Sequence, residues 1–350
     1  MIQDPALFPD SATEVTRVDS ATSPLRARFP IVFFALRRLI AGMVTLFVAS
    51  GLIFLSIQAL PGNVIQVVLG RGARPERVAQ LTSQLHLNDN LLQRYLSFVR
   101  DFIKGDFGVS TAALVQGGSV RVQDVVWPAI HNSLVLAGIV LVFFVPLAAV
   151  IGLLSGIRAG RTIDHVFSTT TLALGALPEF LIGTVLIYIF FDRLDWLPPI
   201  SNVPDGMSPL SDISSLVLPV ITLLLISLAF GARLLRASIV DVLSREYISV
   251  ARLNGISEGR IIFRYLLPNA LVPSIQILAQ QIQYLMGGIV VVESVFNYPG
   301  IGATLVRAIA ARDVQEIVVI ATILSAAYIL INIVADLVVL LLDPRVRTSL

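Results

Sequence analysis

The chain has 350 residues, 56% of them hydrophobic and only 14% charged, with a mean hydropathy of +0.85. A soluble domain carries roughly 25% charged residues, so this chain cannot cover itself with a polar surface. A net charge of +2 without basic blocks argues against nucleic acid, and the absence of cysteine excludes disulfides and thiolate metal sites.

Residues 1–30 are polar, with Asp4, Asp10, Glu14 and Asp19 among them. They hold no apolar core ahead of a small-residue cleavage site, so they read as a retained tail and not as a signal peptide. Six stretches then reach the ~20 apolar residues that a bilayer span needs. They are 39–60, 134–157, 166–191, 213–232, 271–292 and 317–342. Only Glu179 in the third and Asp336 in the sixth are ionisable in this sense, the other four having no Asp, Glu, Lys or Arg. The expected fold is an all-α membrane protein with six transmembrane helices. Pro146, Pro178 and Pro219 fall inside spans, where neighbouring helices can satisfy the freed backbone groups.

The loop 61–127 after the first span has two helical apolar patterns. Val78, Leu81 and Leu85 mark 74–87, and Leu92, Tyr95, Leu96, Val99 and Phe102 mark 91–102. They predict a small helical subdomain, closed by the turn-forming Gly105-Asp106-Phe107-Gly108. The proline-rich 192–211 should be irregular. Residues 296–316 open with a turn at Asn297-Tyr298-Pro299-Gly300 and continue as a short amphipathic helix.

Arginine placement orients the chain. Arg17, Arg26, Arg28, Arg37 and Arg38 precede the first span, Arg158 and Arg161 follow the second, and Arg345 and Arg347 close the sequence. Arg233, Arg236, Arg245, Arg252, Arg260 and Arg264 lie between the fourth and fifth, whereas the opposite short loops hold only Arg193, Arg307 and Arg312. Both termini and the segment 236–268 are therefore expected in the cytoplasm, and 61–127 outside.

No phosphate-cradling loop is present, because the single lysine, Lys104, is followed by Gly105 and not by Ser or Thr. His86, His131 and His165 fall in three separate regions and read as lone residues, not as a metal set. The chain is expected to be no enzyme. The segment 236–268 keeps apolar residues at helical spacing and breaks once, at Asn254-Gly255, where a left-handed stop fits, and Ser257 can cap the next helix. Ala251 and Gly255, four apart, put two small side chains on one face that a partner backbone could approach. Residue physics alone leaves two readings open, a docking surface for another protein or an amphipathic linker on acidic lipid.

In the fifth span Gln276, Gln280 and Gln283 fall at i, i+4 and i+7, with Gln281 beside them. Amides in hydrocarbon must be paired. They either line a translocation path or act as interhelical glue worth about 0.6–2 kcal/mol per bond. Glu179 at mid-span recognises a cationic group or makes a buried structural contact, the latter being favoured. Glu293 is open between a gate and a hydrogen bond to the 297–300 turn. Asn332 and Asp336 read as helix packing.

The run Glu246-Tyr247-Ile248-Ser249-Val250-Ala251-Arg252-Leu253-Asn254-Gly255, with the exit Leu267-Pro268-Asn269-Ala270, resembles the EAA loop of binding-protein-dependent ABC importer permeases. Gly105-Asp106-Phe107-Gly108-Val109-Ser110, the run Glu293 to Gly302, Arg312-Asp313 and Asp343-Pro344-Arg345 narrow the resemblance to the dipeptide/oligopeptide group, first permease subunit. It covers nearly everything from the first span to Arg347. Two departures, Leu60-Pro61-Gly62-Asn63-Val64 and Leu85-His86-Leu87-Asn88-Asp89-Asn90, fall where cargo or its carrier would be met. The tail before the first span is longer than such permeases need.

The resemblance implies the type I importer permease fold, with 128–342 as the permease domain and 343–350 as a cytoplasmic tail. It implies a bacterial or archaeal cytoplasmic membrane, with coupling to ATPases through Glu246, Tyr247, Ala251, Arg252, Gly255, Ser257 and Arg264. The implied partners are a second permease, two ATP-binding subunits that carry the ATP and magnesium, an extracytoplasmic substrate-binding protein and membrane lipid. Peptides are the implied cargo. Nickel chelates, short oligosaccharides or an ion-coupled carrier using Glu179 and Asp336 are the alternatives.

Overall fold

The computed structural model describes residues 30–58, 75–84, 89–201, 203–204 and 206–342. The tail before residue 30, the motif positions 60–64 and 85–88 and the closing 343–350 lie outside the described residues. In chain order the helices are α1 (Pro30–Gln58), α2 (Pro75–Gln84), α3 (Leu91–Ile103), α4 (Thr111–Val115), α5 (Val122–Ile157), α6 (Thr162–Gly175) and α7 (Glu179–Ile187). They continue with α8 (Ile213–Leu243), α9 (Glu246–Leu253), α10 (Glu258–Ile261), α11 (Leu267–Val295), α12 (Ile301–Ala311) and α13 (Val314–Leu342). Single π-helical segments, Tyr188–Arg193 and Ile262–Leu266, extend α7 and join α10 to α11. Among the described residues no strand forms, only an isolated bridge between Val109 and Arg121.

Four helices are long and apolar enough to cross a bilayer: α1, α5, α8 and α13. The α6–α7 pair makes a fifth if its halves are taken together. α11 covers the predicted fifth span and has 29 residues, about 44 Å at 1.5 Å per residue. The third predicted span, 166–191, is not one straight helix; α6 and α7 meet at a bend of 100°. Pro178, at the cap of α7, lacks an N–H and biases Leu177 out of the helical region, so the rod breaks there. The fourth element also departs from expectation: α8 runs on to Leu243, so Arg233 and Arg236 ride on the same rod as the predicted span.

α8 is the centre of the bundle. Its most apolar window is 56% buried, against 17–22% in α1, α5 and α13, because α5, α6, α7 and α11 all pack on it. The closest of these contacts depends on glycine. A Cβ added at Gly156 of α5 would sit 2.6 Å from Ile239 Cγ2, and one at Gly152 would sit 2.9 Å from Leu235. Gly231 returns the fit, since a Cβ there would meet the Phe144 ring at 2.5 Å. With no water to expel between spans, such close backbone approach is a main source of helix association. α1 lies at the edge against α13 and exposes Leu39, Met43, Val44 and Leu52, each about half exposed, as a lipid-facing side chain would be.

Candidate functional site

The hairpin formed by α9 and α10 is built from its glycine outward. Gly255 has φ +75°, a left-handed conformation that only glycine adopts without strain. Its N–H donates to Arg252 O at 3.0 Å and the Ile256 N–H to Ala251 O at 3.1 Å, the pair of bonds that closes a Schellman stop. The reversal lays α10 back on α9, and Ile248, Ala251 and Ile261 become a buried cluster flanked by Leu243, Ile256 and Tyr265. Arg252 clamps the hairpin through Glu258 at 2.8 Å, a bond that holds the guanidinium above its ordinary pKa.

This geometry corrects the face assigned to Ala251. Ala251 is 4% exposed and points into the hairpin, so it is small in order to let α10 and Ile261 close. Gly255 serves the turn through its positive φ, and a Cβ there would meet nothing within 4 Å in this chain. Ser257 stands at the cap of α10, yet its hydroxyl makes no capping bond; only its carbonyl accepts, from Ile261 N–H at 3.0 Å. The outward face is instead Tyr247, Val250 and Leu253, the last 87% exposed, with Glu246 in the first turn. Arg260 and Arg264 are exposed and have no acidic partner among the described residues. Arg245 pairs with Asp241 at 2.7 Å.

One side chain near the hairpin had no signal in the hydropathy pattern. Asp164, in the first turn of α6, is 2% exposed. It takes a bidentate pair of bonds from Arg236 of α8, with Nη2 at 2.6 Å from Oδ2, and accepts the Gly160 N–H at 2.8 Å. It ties the start of the bent pair to the helix that carries the hairpin.

The glutamines of α11 divide. The Gln276 side chain lies outside the described residues. Gln280 is exposed, whereas Gln283 Nε2 donates to Asn332 Oδ1 at 2.6 Å and joins α11 to α13. Gln281 is 4% exposed and its Nε2 has no hydrogen-bond partner among the described residues. The exposed face of α11 therefore reads Gln280, Tyr284 and Gly287, again at i, i+4 and i+7. Glu179 meets this face: its Oε1 accepts from Tyr284 Oη at 2.9 Å. The break at Pro178 puts Glu179 in the first turn of α7, where the positive end of the helix dipole favours a carboxylate. Asp336, read as packing, pairs with Arg38 at 3.0 Å and holds α13 to α1.

Glu293 is no gate residue in this geometry. It is fully buried and accepts the Gly302 and Ala303 N–H groups at 2.7 and 3.2 Å, together with the Ser133 hydroxyl. It satisfies the otherwise orphaned donors at the start of α12. Beside it Asn132 Nδ2 donates to Pro299 O at 2.9 Å and Tyr298 Oη to Asn132 O at 2.7 Å, which locks the 297–300 turn onto α5. At the same end of the bundle Asp313 accepts the Thr111 and Ala112 N–H groups and the Ser110 hydroxyl, and also the Glu316 N–H. Two of the motifs that carried the resemblance, 105–110 and 312–313, are thus one structure. Among the described residues no group of three His, Asp or Glu could hold a metal ion.

Comparison with known proteins agrees in detail. Residues 31–139 match the model of "Binding-prot-dependent transport system membrane comp, N-term", and residues 148–348 that of "Binding-protein-dependent transport system inner membrane component". The chain is 32% identical, over 90% of its length and 99% of the relative's, to the "Probable peptide ABC transporter permease protein y4tP" of Sinorhizobium fredii. It is 30% identical, over 90% of its length and 98% of the relative's, to the "Glutathione transport system permease protein GsiC" of Escherichia coli. A multi-pass helical chain with an EAA-type hairpin, matched by these models from residue 31 to residue 348, belongs to the family of binding-protein-dependent transport system inner membrane components.

Proposed function

We propose that this chain is one of two homologous permease subunits of an ATP-driven importer, crossing the cytoplasmic membrane six times with both termini inside. Cargo would arrive outside on a binding protein, and the hairpin α9–α10 would dock on an ATPase subunit. The observation that carries this reading is the hairpin itself. It is preorganised by its own core and by Gly255, stands on the inner end of α8 with only Ser244 and Arg245 between, and presents Tyr247, Val250 and Leu253 outward. An exposed apolar row on a rigid element suits a protein groove.

A pull on α9 is delivered to α8, and α8 touches α5, α6, α7 and α11. Movement of one rod thus bears on every helix packed around it, which is alternating access by rigid elements. Peptides are the favoured cargo, since the relatives named above are called a peptide and a glutathione permease. ATP and magnesium would be held by the partner subunits.

The test is co-purification of the ATPases with a Leu253→Glu variant. A carboxylate on the most exposed apolar position should reduce ATPase recovery about tenfold or more while the permease pair stays inserted and paired. Undiminished recovery, with Val250→Glu also silent, overturns the docking assignment.

A further inference from the structure

We propose that the face shared by α7, α8 and α11 holds a short zwitterionic peptide by its two ends, Glu179 taking the terminal ammonium and Arg233 the terminal carboxylate. The proposal rests on the importer reading above and adds the chemistry of what is recognised.

Four side chains form a continuous ladder. Glu179 Oε1 accepts from Tyr284 Oη at 2.9 Å; the Tyr284 ring lies 5.3 Å from that of Phe230; and the Arg233 guanidinium lies 5.8 Å from the Phe230 centroid. Neither charged end is neutralised. Among the described residues Tyr284 is the only hydrogen-bond partner of Glu179, and Arg233 has no carboxylate partner. The contrast lies in the same bundle: Asp336 is paired with Arg38, and Asp164 with Arg236. A bare carboxylate within a span, as Glu179 is, marks a wet path or a ligand, and Arg233 stands exposed at the inner end of that path.

The spacing suits a peptide. A Cβ added at Gly288 would lie 3.6 Å from Leu223 and 3.9 Å from Glu179, so Leu223 marks the level of the carboxylate on α8. Arg233 follows Leu223 by ten positions on the same helix, about 15 Å along its axis. An extended backbone covers that distance in about four or five residues. Between the ends Gln280 offers an exposed amide to peptide groups, and Gly287 leaves open space, with no atom within 4 Å of an added Cβ. No side-chain pocket is required, so recognition of the ends tolerates any sequence. A neutral oligosaccharide would satisfy neither end.

The experiment is equilibrium binding of four forms of tetraalanine to the complete permease–ATPase complex in nanodiscs. The forms are free, N-acetylated, C-amidated and doubly blocked. Loss of one charge-assisted contact should weaken binding about tenfold or more for each blocked end in the wild-type complex. Glu179→Gln should erase the penalty of N-acetylation and keep that of amidation, and Arg233→Gln should do the reverse. A general structural defect would weaken all four forms together and could not produce this crossed pattern. Equal weakening of all forms, no effect of either substitution, or no binding of free tetraalanine overturns the ladder. The docking assignment of the importer reading fails separately, by ATPase co-purification that both Leu253→Glu and Val250→Glu leave intact.

Discussion

Asp313 shows how much one side chain can hold together here. Its two oxygens accept from Thr111 and Ala112, the first residues of α4, and from Glu316 at the start of α13, with the Ser110 hydroxyl completing the shell. Each helix start is short of acceptors for its N–H groups, and a carboxylate is the strongest cap for them. Asp313→Asn keeps the shape but gives up the charge and turns one acceptor into a donor. Asp313→Ala, which removes both caps at once, should cost about 1–4 kcal/mol. The measurement is the thermal midpoint of the purified permease pair, and an unchanged midpoint would show that the double cap contributes nothing to stability. Glu293 is used in the same way at α12, so at this end of the bundle buried carboxylates cap helix starts.

At the scale of elements, α5 and α8 fit like a reciprocal joint, with Gly152 and Gly156 receiving Leu235 and Ile239, and Gly231 receiving Phe144. Gly156→Ala puts a methyl 2.6 Å from Ile239 Cγ2, where it cannot stay without movement of the β-branched neighbour. Overpacking of this kind costs about 1–3 kcal/mol. Ile239→Val removes a different methyl from the one that clashes and should relieve little, whereas Ile239→Ala removes Cγ2 and should make the two losses less than additive in the double variant. A double-mutant cycle on the unfolding midpoint reads the coupling, and strictly additive effects would mean that the two positions do not share this contact. The other decisive element is the break at Pro178. It divides one predicted span into α6 and α7 and brings Glu179 to a helix start beside Tyr284.

At the scale of the molecule, the Asp164–Arg236 pair is placed between the hairpin and the face that carries Glu179. Arg236 rides on α8 seven positions before its end, and Asp164 opens the first arm of the bent pair. Removing Asp164 leaves Arg236, a part-buried charge 29% exposed, without its carboxylate, at a cost of about 1–3 kcal/mol. Asp164→Asn should therefore loosen α6 from α8 more than it disturbs the hairpin, whose core of Ile248, Ala251 and Ile261 is self-contained. In a reconstituted complex the expected outcome is ATP hydrolysis retained but cargo transported per ATP reduced severalfold. The exchange Asp164→Arg with Arg236→Asp should recover part of it. Unchanged coupling in Asp164→Asn would reduce the pair to a local brace.

Much of this protein was legible in its residues, for a physical reason. A bilayer demands length and apolarity of any span, so α1, α5, α8 and α13 announce themselves by composition alone. A helix stop that needs a positive φ announces itself as Asn254-Gly255, and α9 ends at Leu253 as that pattern requires. What composition could not decide was direction, because a helix has a full circle of faces and its neighbours choose among them. Ala251 turned inward and Gln283 turned toward Asn332, although spacing put each in company with an exposed residue. Nor could it decide long-range pairing. Asp164 with Arg236, Asp313 with Ser110, and Glu179 with Tyr284 join positions 72, 203 and 105 residues apart. The spans were set by the solvent around each segment, which acts locally on the chain; the partners of its charges were set by packing, which only the assembled bundle defines.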